Sequence, residues 1–245
     1  MKFLIHTTIS KTAFRQLDAM LIPVFLVDNT PARFSEAFSY LDKLDQQFLK
    51  NYVKTRQPKA GEVRLLRLNK APGFAFVAFE KEPVPTESSG FSEKKLALLV
   101  RKFVRAAKAE GFKQIGIYLD DYEKSNIFAE RVARLAAENA TLAHYDFSEQ
   151  FKTPPTGGWK RVGEIHLYTY HEDKALTENI KEGELVAEAV NYCRTLANMP
   201  PSDLKPEGMA EAARTIANKI KNLTVTVFDE KRLKAEGMNA ILAVG

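Results

Sequence analysis

The chain is poor in the residues that build cross-linked or metal-clamped folds. Its 245 residues hold a single cysteine, Cys193, and 4 histidines, His6, His144, His166 and His171. One cysteine excludes an intramolecular disulfide and a cysteine-based zinc cluster, and it fits a reducing cytoplasm. The histidines do not form the His-Glu-x-x-His pair that sets two ligands on one helix face. His166 and His171, on one expected strand, point to opposite faces by the two-residue strand period. Satisfied core or surface histidines are therefore expected. Hydrophobic runs are short as well. None approaches the roughly 20 residues that a membrane-spanning helix needs, and the opening Met1 to Ser10 has too small an apolar core for a signal peptide. Neither leader nor anchor is expected.

Standard nucleophile and phosphate motifs are missing too. There is no Gly-x-Ser-x-Gly elbow. Gly157-Gly158 lacks the Lys-Ser or Lys-Thr sequel of a phosphate loop and precedes a strand rather than a helix. Cys193 shares one face of an expected long helix with Val186, Val190 and Ala197, which makes it a packed thiol with no visible base.

What is present is enough for a core, with 45% hydrophobic residues, sufficient for one large or two small domains. Phe3 to Ile5 and Leu21 to Val27 read as buried strands. Thr30 with Pro31 predicts a helix start, and Phe34, Phe38, Leu41, Phe48 and Tyr52 its apolar face. Glu62 to Leu68 and Phe74 to Phe79 flank a Gly-bearing loop, Asn69 to Gly73, which predicts a β-hairpin whose second strand lies inside the sheet. After a loop at Pro83 to Gly90, a helix capped by Ser92 buries Leu96, Leu99, Val100, Phe103 and Ala107 and stops at Gly111. Gln114 to Leu119 is the next strand. A helix from about Ser125 turns Phe128, Val132 and Leu135 inward and pairs Glu130 with Arg134 outward. Gly163 to Tyr170 closes the first unit. This alternation defines an α/β fold, a mixed sheet flanked by helices on both faces. The expected division is 1–172 for this domain and 173–245 for a second.

The second unit opens with a long helix from near Asp173 to Ala197, broken at Asn198-Met199-Pro200-Pro201. Pro206 starts the next helix, with Met209, Ala213, Ile216 and Ile220 on its apolar face. Leu223 to Phe228 alternates as a strand, and the closing run Ile241 to Val244 reads as the start of another with nothing to cover it. The second domain is thus expected to be truncated.

Charge narrows little. The 36 Lys and Arg against 31 Asp and Glu give +5, but the signs are mixed in stretches such as Glu93-Lys94-Lys95. A basic stripe at Lys94, Lys95, Arg101, Lys102, Arg105 and Lys108 keeps a nucleic-acid- or protein-binding module as the alternative reading, not the favoured one. Among acidic groups, Asp120, Asp121 and Glu123 stand out. They lie at the C-terminal end of an expected strand, the edge where open α/β sheets place ligands. A solvated turn is the plainer account of them, and no complete active site emerges.

From about Glu182 the chain resembles the leucyl aminopeptidase (cytosol aminopeptidase) family of metallo-exopeptidases. Asn198, Pro200-Pro201 and Pro206 carry the likeness, followed in order by Val227-Phe228-Asp229-Glu230, Leu233, Gly237-Met238 and Leu242-Ala243-Val244-Gly245. Lys205 departs from the family's usual hydroxyl cap, at a local cost of about 1 kcal/mol. The earlier part, including Tyr145-Asp146-Phe147, is similar to the family's macro-like N-terminal domain, although Ala78-Phe79-Glu80 replaces a Gly-rich strand end. The resemblance implies an N-terminal domain followed by the start of a catalytic domain. It also implies a two-metal Zn or Mn site, peptide substrates, a homohexamer, a cytoplasmic location and no membrane contact. The family's metal-binding signatures do not occur in residues 1–245. Hence no catalytic or metal residue is assigned, the substrate-binding residues stay unknown, and the fragment is expected to be inactive; a non-catalytic relative of the family stands beside the binding module as an alternative.

Overall fold

The structure, a computed structural model, describes residues 1–10, 12–82, 92–150, 152–171 and 174–244. The loop expected at Pro83 to Gly90 lies outside the described residues, as do Asp173 and Gly245. The chain divides into two compact units, Met1–Asn191 and Tyr192–Gly245.

In the first unit, strands β1 (Lys2–His6), β2 (Ala19–Val27), β3 (Thr30–Phe34), β4 (Val63–Arg67), β5 (Phe74–Lys81), β6 (Gln114–Tyr118) and β7 (Glu164–Tyr168) form one sheet. Its order is β1-β7-β6-β2-β5-β4, with β3 paired to β2. β1, β7, β6, β2 and β5 run parallel. β4 closes one edge as the antiparallel partner of β5, the expected hairpin.

Successive strand residues supply opposite layers, as the two-residue period requires. Leu21 and Phe25 of β2, Phe76 of β5, Ile117 of β6 and Leu167 of β7 enter one core. They meet helices α2 (Glu93–Glu110) and α3 (Ala129–His144) there. Met20, Ile22, Val24, Val77, Tyr118 and Tyr168 face the other side and pack on Leu49 and Val53 of α1 (Lys43–Arg56). Both faces of the sheet are thereby covered. α2 ends where Gly111 adopts φ +84, a left-handed geometry that costs glycine little, and its N–H bonds back to Ala107 and Lys108.

Several expected elements fall differently. Thr30 and Pro31 do not open a helix: Asp28 and Asn29 take left-handed φ of 49 and 59, and Thr30–Phe34 turns back on β2 as an antiparallel ribbon. The helix begins later, where the Asp42 carboxylate accepts the Leu44 N–H at 2.9 Å. This is the better cap, because the side chain supplies an acceptor for an otherwise orphan amide. Phe48, expected inside, is 40% exposed. After β6 a 3-10 turn, Asp120–Ser125, ends at left-handed Asn126, so α3 starts at Ala129 and Phe128 stays 60% exposed. Arg134 pairs with Glu182 at 3.0 Å across to α4 (Lys174–Asn198).

α4 buries Leu176, Ile180, Gly183 and Ala187 rather than the face carrying Val186, Val190 and Cys193. Gly183 explains the choice. A Cβ there would stand 2.4 Å from the Arg134 carbonyl oxygen, so the missing side chain lets the α4 backbone approach α3. Cys193 is exposed, which corrects the expectation of a packed thiol.

The second unit contains the C-terminal end of α4, then α5 (Pro206–Ala217), α6 (Glu230–Ala235) and α7 (Asn239–Leu242). α5 opens at Pro206 as expected, with Lys205 in the cap position and making no side-chain cap bond. Asp229 caps α6 by accepting the Arg232 N–H at 2.8 Å. Gly237 follows it at φ +74. Leu223 to Phe228 is not a strand, and Ile241 and Leu242 lie in α7 instead of beginning one. A strand needs a neighbour for its N–H and C=O groups, whereas a helical turn satisfies them internally.

Candidate functional site

Three acidic side chains follow β6, and the structure separates them. In the 3-10 turn, residues three apart eclipse, so Asp120 and Glu123 project to the same side while Asp121 projects elsewhere. Asp121 is buried, and its carboxylate accepts the Ser35 hydroxyl and the Glu36 N–H at 2.9 Å. Burial pushes its pKa up to about 7 against those two hydrogen bonds. It anchors the start of the 3-10 turn Glu36–Tyr40.

Asp120 and Glu123 gain a partner that spacing did not reveal. β6 and β7 are parallel, with Tyr118 opposite Tyr168, so the segments leaving both strands emerge side by side. Asp120 accepts the Thr169 hydroxyl at 2.7 Å and the Tyr170 N–H at 3.0 Å. His171 then places Nε2 2.8 Å from Glu123 Oε1 and 3.8 Å from Asp120 Oδ1. The hydrogen bond to Glu123 raises the His171 pKa, aided by the charges of Asp120, Glu123 and Glu130. Among the described residues this is the group of three His, Cys, Asp or Glu side chains whose ligand atoms converge, all within 4.8 Å of one another. It lacks a nucleophile and base in sequence: the Thr169 hydroxyl donates to Asp120, not to the imidazole. The arrangement can hold a cation. Acyl transfer has no starting point in it.

The other histidines are structural. His6 Nε2 and Gln16 Nε2 both approach His166 Nδ1, at 2.9 and 3.1 Å. Two donors toward one ring nitrogen make it the acceptor, which leaves the His166 proton on Nε2, 3.5 Å from Glu164. Burial lowers the pKa of both rings. His144, at the end of α3, is pushed down to about 4 by burial and then by Lys108. The basic stripe on α2 is largely engaged within the unit. Arg101 donates to Asn139 at 2.7 Å, Lys102 to the Gly61 carbonyl at 3.3 Å, and Lys108 to the His144 carbonyl at 3.1 Å.

The sheet with helices on both faces, followed by a helical second unit, is an architecture shared with leucine aminopeptidase structures. A tomato leucine aminopeptidase variant superposes with a TM-score of 0.73 at 19% identity, covering 100% of this chain and 47% of that one. The bottromycin maturation enzyme BotP in complex with Mn gives 0.61 at 20% identity, covering 93% and 41%. These likenesses establish the fold.

The sequence comparisons add a likeness to one family. Residues 191–245 match the model of the cytosol aminopeptidase family, catalytic domain. A probable cytosol aminopeptidase of Hamiltonella defensa is 27% identical over 233 residues, covering 93% of this chain and 44% of that protein. One from Actinobacillus pleuropneumoniae is 27% identical over 223 residues, covering 87% and 43%. By these matches the chain is similar to the cytosol aminopeptidases, most specifically over residues 191–245. It spans less than half the length of the curated relatives it matches.

Proposed function

We propose that residues 1–245 are the N-terminal portion of a metal-dependent leucyl aminopeptidase, which hydrolyses the N-terminal residue from peptides in the cytoplasm as a homohexamer. The observation that carries this reading is the catalytic-domain match at residues 191–245. The proposed domain division is 1–172 for the N-terminal α/β domain and 173–245 for the beginning of the metallopeptidase domain. Among the described residues no helix is long and apolar enough to cross a membrane, and this supports a location away from the bilayer.

The complete enzyme is proposed to use two divalent ions, Zn or Mn, which when bound would activate a water and polarise the scissile carbonyl. The residues present do not fit that pair. Among the described residues 192–244, no three His, Cys, Asp or Glu side chains converge on a common point. We assign catalytic and metal ligands of the reaction to none of residues 1–245, and no chemical step is derived through them. Apolar side chains left open in the second unit, such as Met209 at 47%, Ile220 at 50% and Ile241 at 56%, support the reading of a domain completed by further chain.

The test is an assay with Mn and a chromogenic leucyl amide. The expected result is no turnover by residues 1–245 above a metal-free control, and turnover once the chain is extended through the remaining length of the family. Activity in residues 1–245 alone would overturn the assignment.

A further inference from the structure

We propose that Asp120, Glu123 and His171 form a binding site for a divalent transition-metal ion of the zinc class, at the C-terminal edge of β6 and β7. The first argument is distance. Ligands about 2.1 Å from one ion at tetrahedral angles lie roughly 3.4 Å apart. The His171 Nε2 separations of 2.8 Å to Glu123 and 3.8 Å to Asp120 bracket that edge. All three ligand atoms lie within 4.8 Å of one another, so side-chain movements on the order of an ångström close the set around one ion, which replaces the proton that the imidazole and Glu123 share.

The second argument is ligand chemistry. One imidazole with two carboxylates favours Zn or its neighbours over Mg and Ca, which prefer oxygen alone. Two carboxylates against one imidazole leave the site net negative, and Glu130 adds to the field at His171. Three protein ligands leave a fourth position for water.

The third argument is support. Asp120 does not depend on the ion for its orientation, because Thr169 Oγ1 and the Tyr170 N–H already hold its two oxygens. Thr169 is itself fully buried, and its hydroxyl also accepts the His171 N–H at 3.1 Å. One residue thus sets both the carboxylate and the backbone that carries the imidazole, the kind of outer support that ligating side chains commonly have. An ion bound there would tie the turn after β6 to the segment after β7.

The experiment uses residues 1–245 and Zn2+ alone, titrated against a chromophoric zinc chelator. One equivalent of Zn2+ is expected to be withdrawn from the chelator. His171→Ala, on an exposed side chain, and Glu123→Gln, on a half-buried one, are expected to weaken uptake at least tenfold while the circular dichroism stays that of the parent. Thr169→Val keeps all three ligands and is expected to weaken it by roughly tenfold, the cost of losing an outer partner. The proposal is overturned if the parent chain takes up no zinc, or if His171→Ala and Glu123→Gln bind as tightly as the parent.

Discussion

In Met1–Asn191 the apolar residues of the sheet close against helices on both faces, whereas in Tyr192–Gly245 the helices α5, α6 and α7 bury none of theirs. The contrast separates two things that sequence similarity tends to merge. The first unit has what a stable fold requires, namely continuous cores in which Phe25, Phe103 and Tyr168 are at most 1% exposed. The second unit carries the family match, yet its order rests on local devices: Pro206 at a helix start, the Asp229 cap, and Gly237 in a left-handed turn. The likeness to the family here is written in caps and turns, and stability is written in the sheet.

The widest test of that contrast is a pair of truncations. Phe103→Ala removes a ring at the centre of one core and is expected to cost about 3–5 kcal/mol in urea unfolding. Val227→Ala, 38% exposed, is expected to stay within about 0.5 kcal/mol. Equal losses would mean that the second unit has a core of its own.

A smaller effect, opposite in sign between the units, is expected at two helical glycines. Gly183→Ala sets a methyl 2.4 Å from the Arg134 carbonyl oxygen and 3.0 Å from the Glu138 nitrogen. The clash, about 1–3 kcal/mol for an overpacked site, exceeds the helix-propensity gain of about 1 kcal/mol, so the melting temperature falls. At Gly208 the nearest atom is Leu204 Cδ1 at 3.5 Å, an ordinary contact. Gly208→Ala therefore stabilises α5 by roughly 0.5–1 kcal/mol. Destabilisation at both positions would show that α5 is packed.

The smallest expected effect is in pH. Burial holds the Glu80 carboxyl up at about 7, despite the charges of Lys95 and Lys102. The folded unit thus binds this proton more tightly than the unfolded chain. Its stability is highest, as far as Glu80 is concerned, below the ordinary value of 4.5 and falls as pH rises toward 7. Glu80→Gln removes that dependence. Its stability relative to the parent should increase steadily as pH rises across this window. A difference that is flat with pH, measured by urea unfolding at several pH values, would place Glu80 in water.

Much of the first unit was legible because its signals are local. Leu21 to Val27, Gln114 to Leu119 and the Leu96 to Ala107 face show their period within a few residues, and Gly111 ends its helix by its own conformational freedom. The Thr30 region misled for a related reason. Thr-Pro is a good helix start in isolation, and only the left-handed pair Asp28-Asn29 and the hydrogen-bonding edge of β2 make it a strand. On α4 two apolar faces competed, and the Gly183 contact with α3 selected one. In the second unit Leu223 to Phe228 alternates as a strand should, but among the described residues no neighbouring strand pairs with it.

The candidate site divides along the same line. Asp120, Asp121 and Glu123 were visible as a cluster at a strand end, since they adjoin in sequence and a strand end is a local feature. Their fates were not. Asp121 is drawn inward by Ser35 and Glu36, some 85 positions away, and His171 reaches Glu123 from 48 positions away. The sequence by itself determined the α/β class, the buried faces of its strands and helices, and the likeness to a peptidase family, because each depends on neighbours along the chain. Only the tertiary structure decided which acid meets which histidine, because that meeting depends on the parallel register of β6 and β7, and no local pattern encodes a register between strands that far apart.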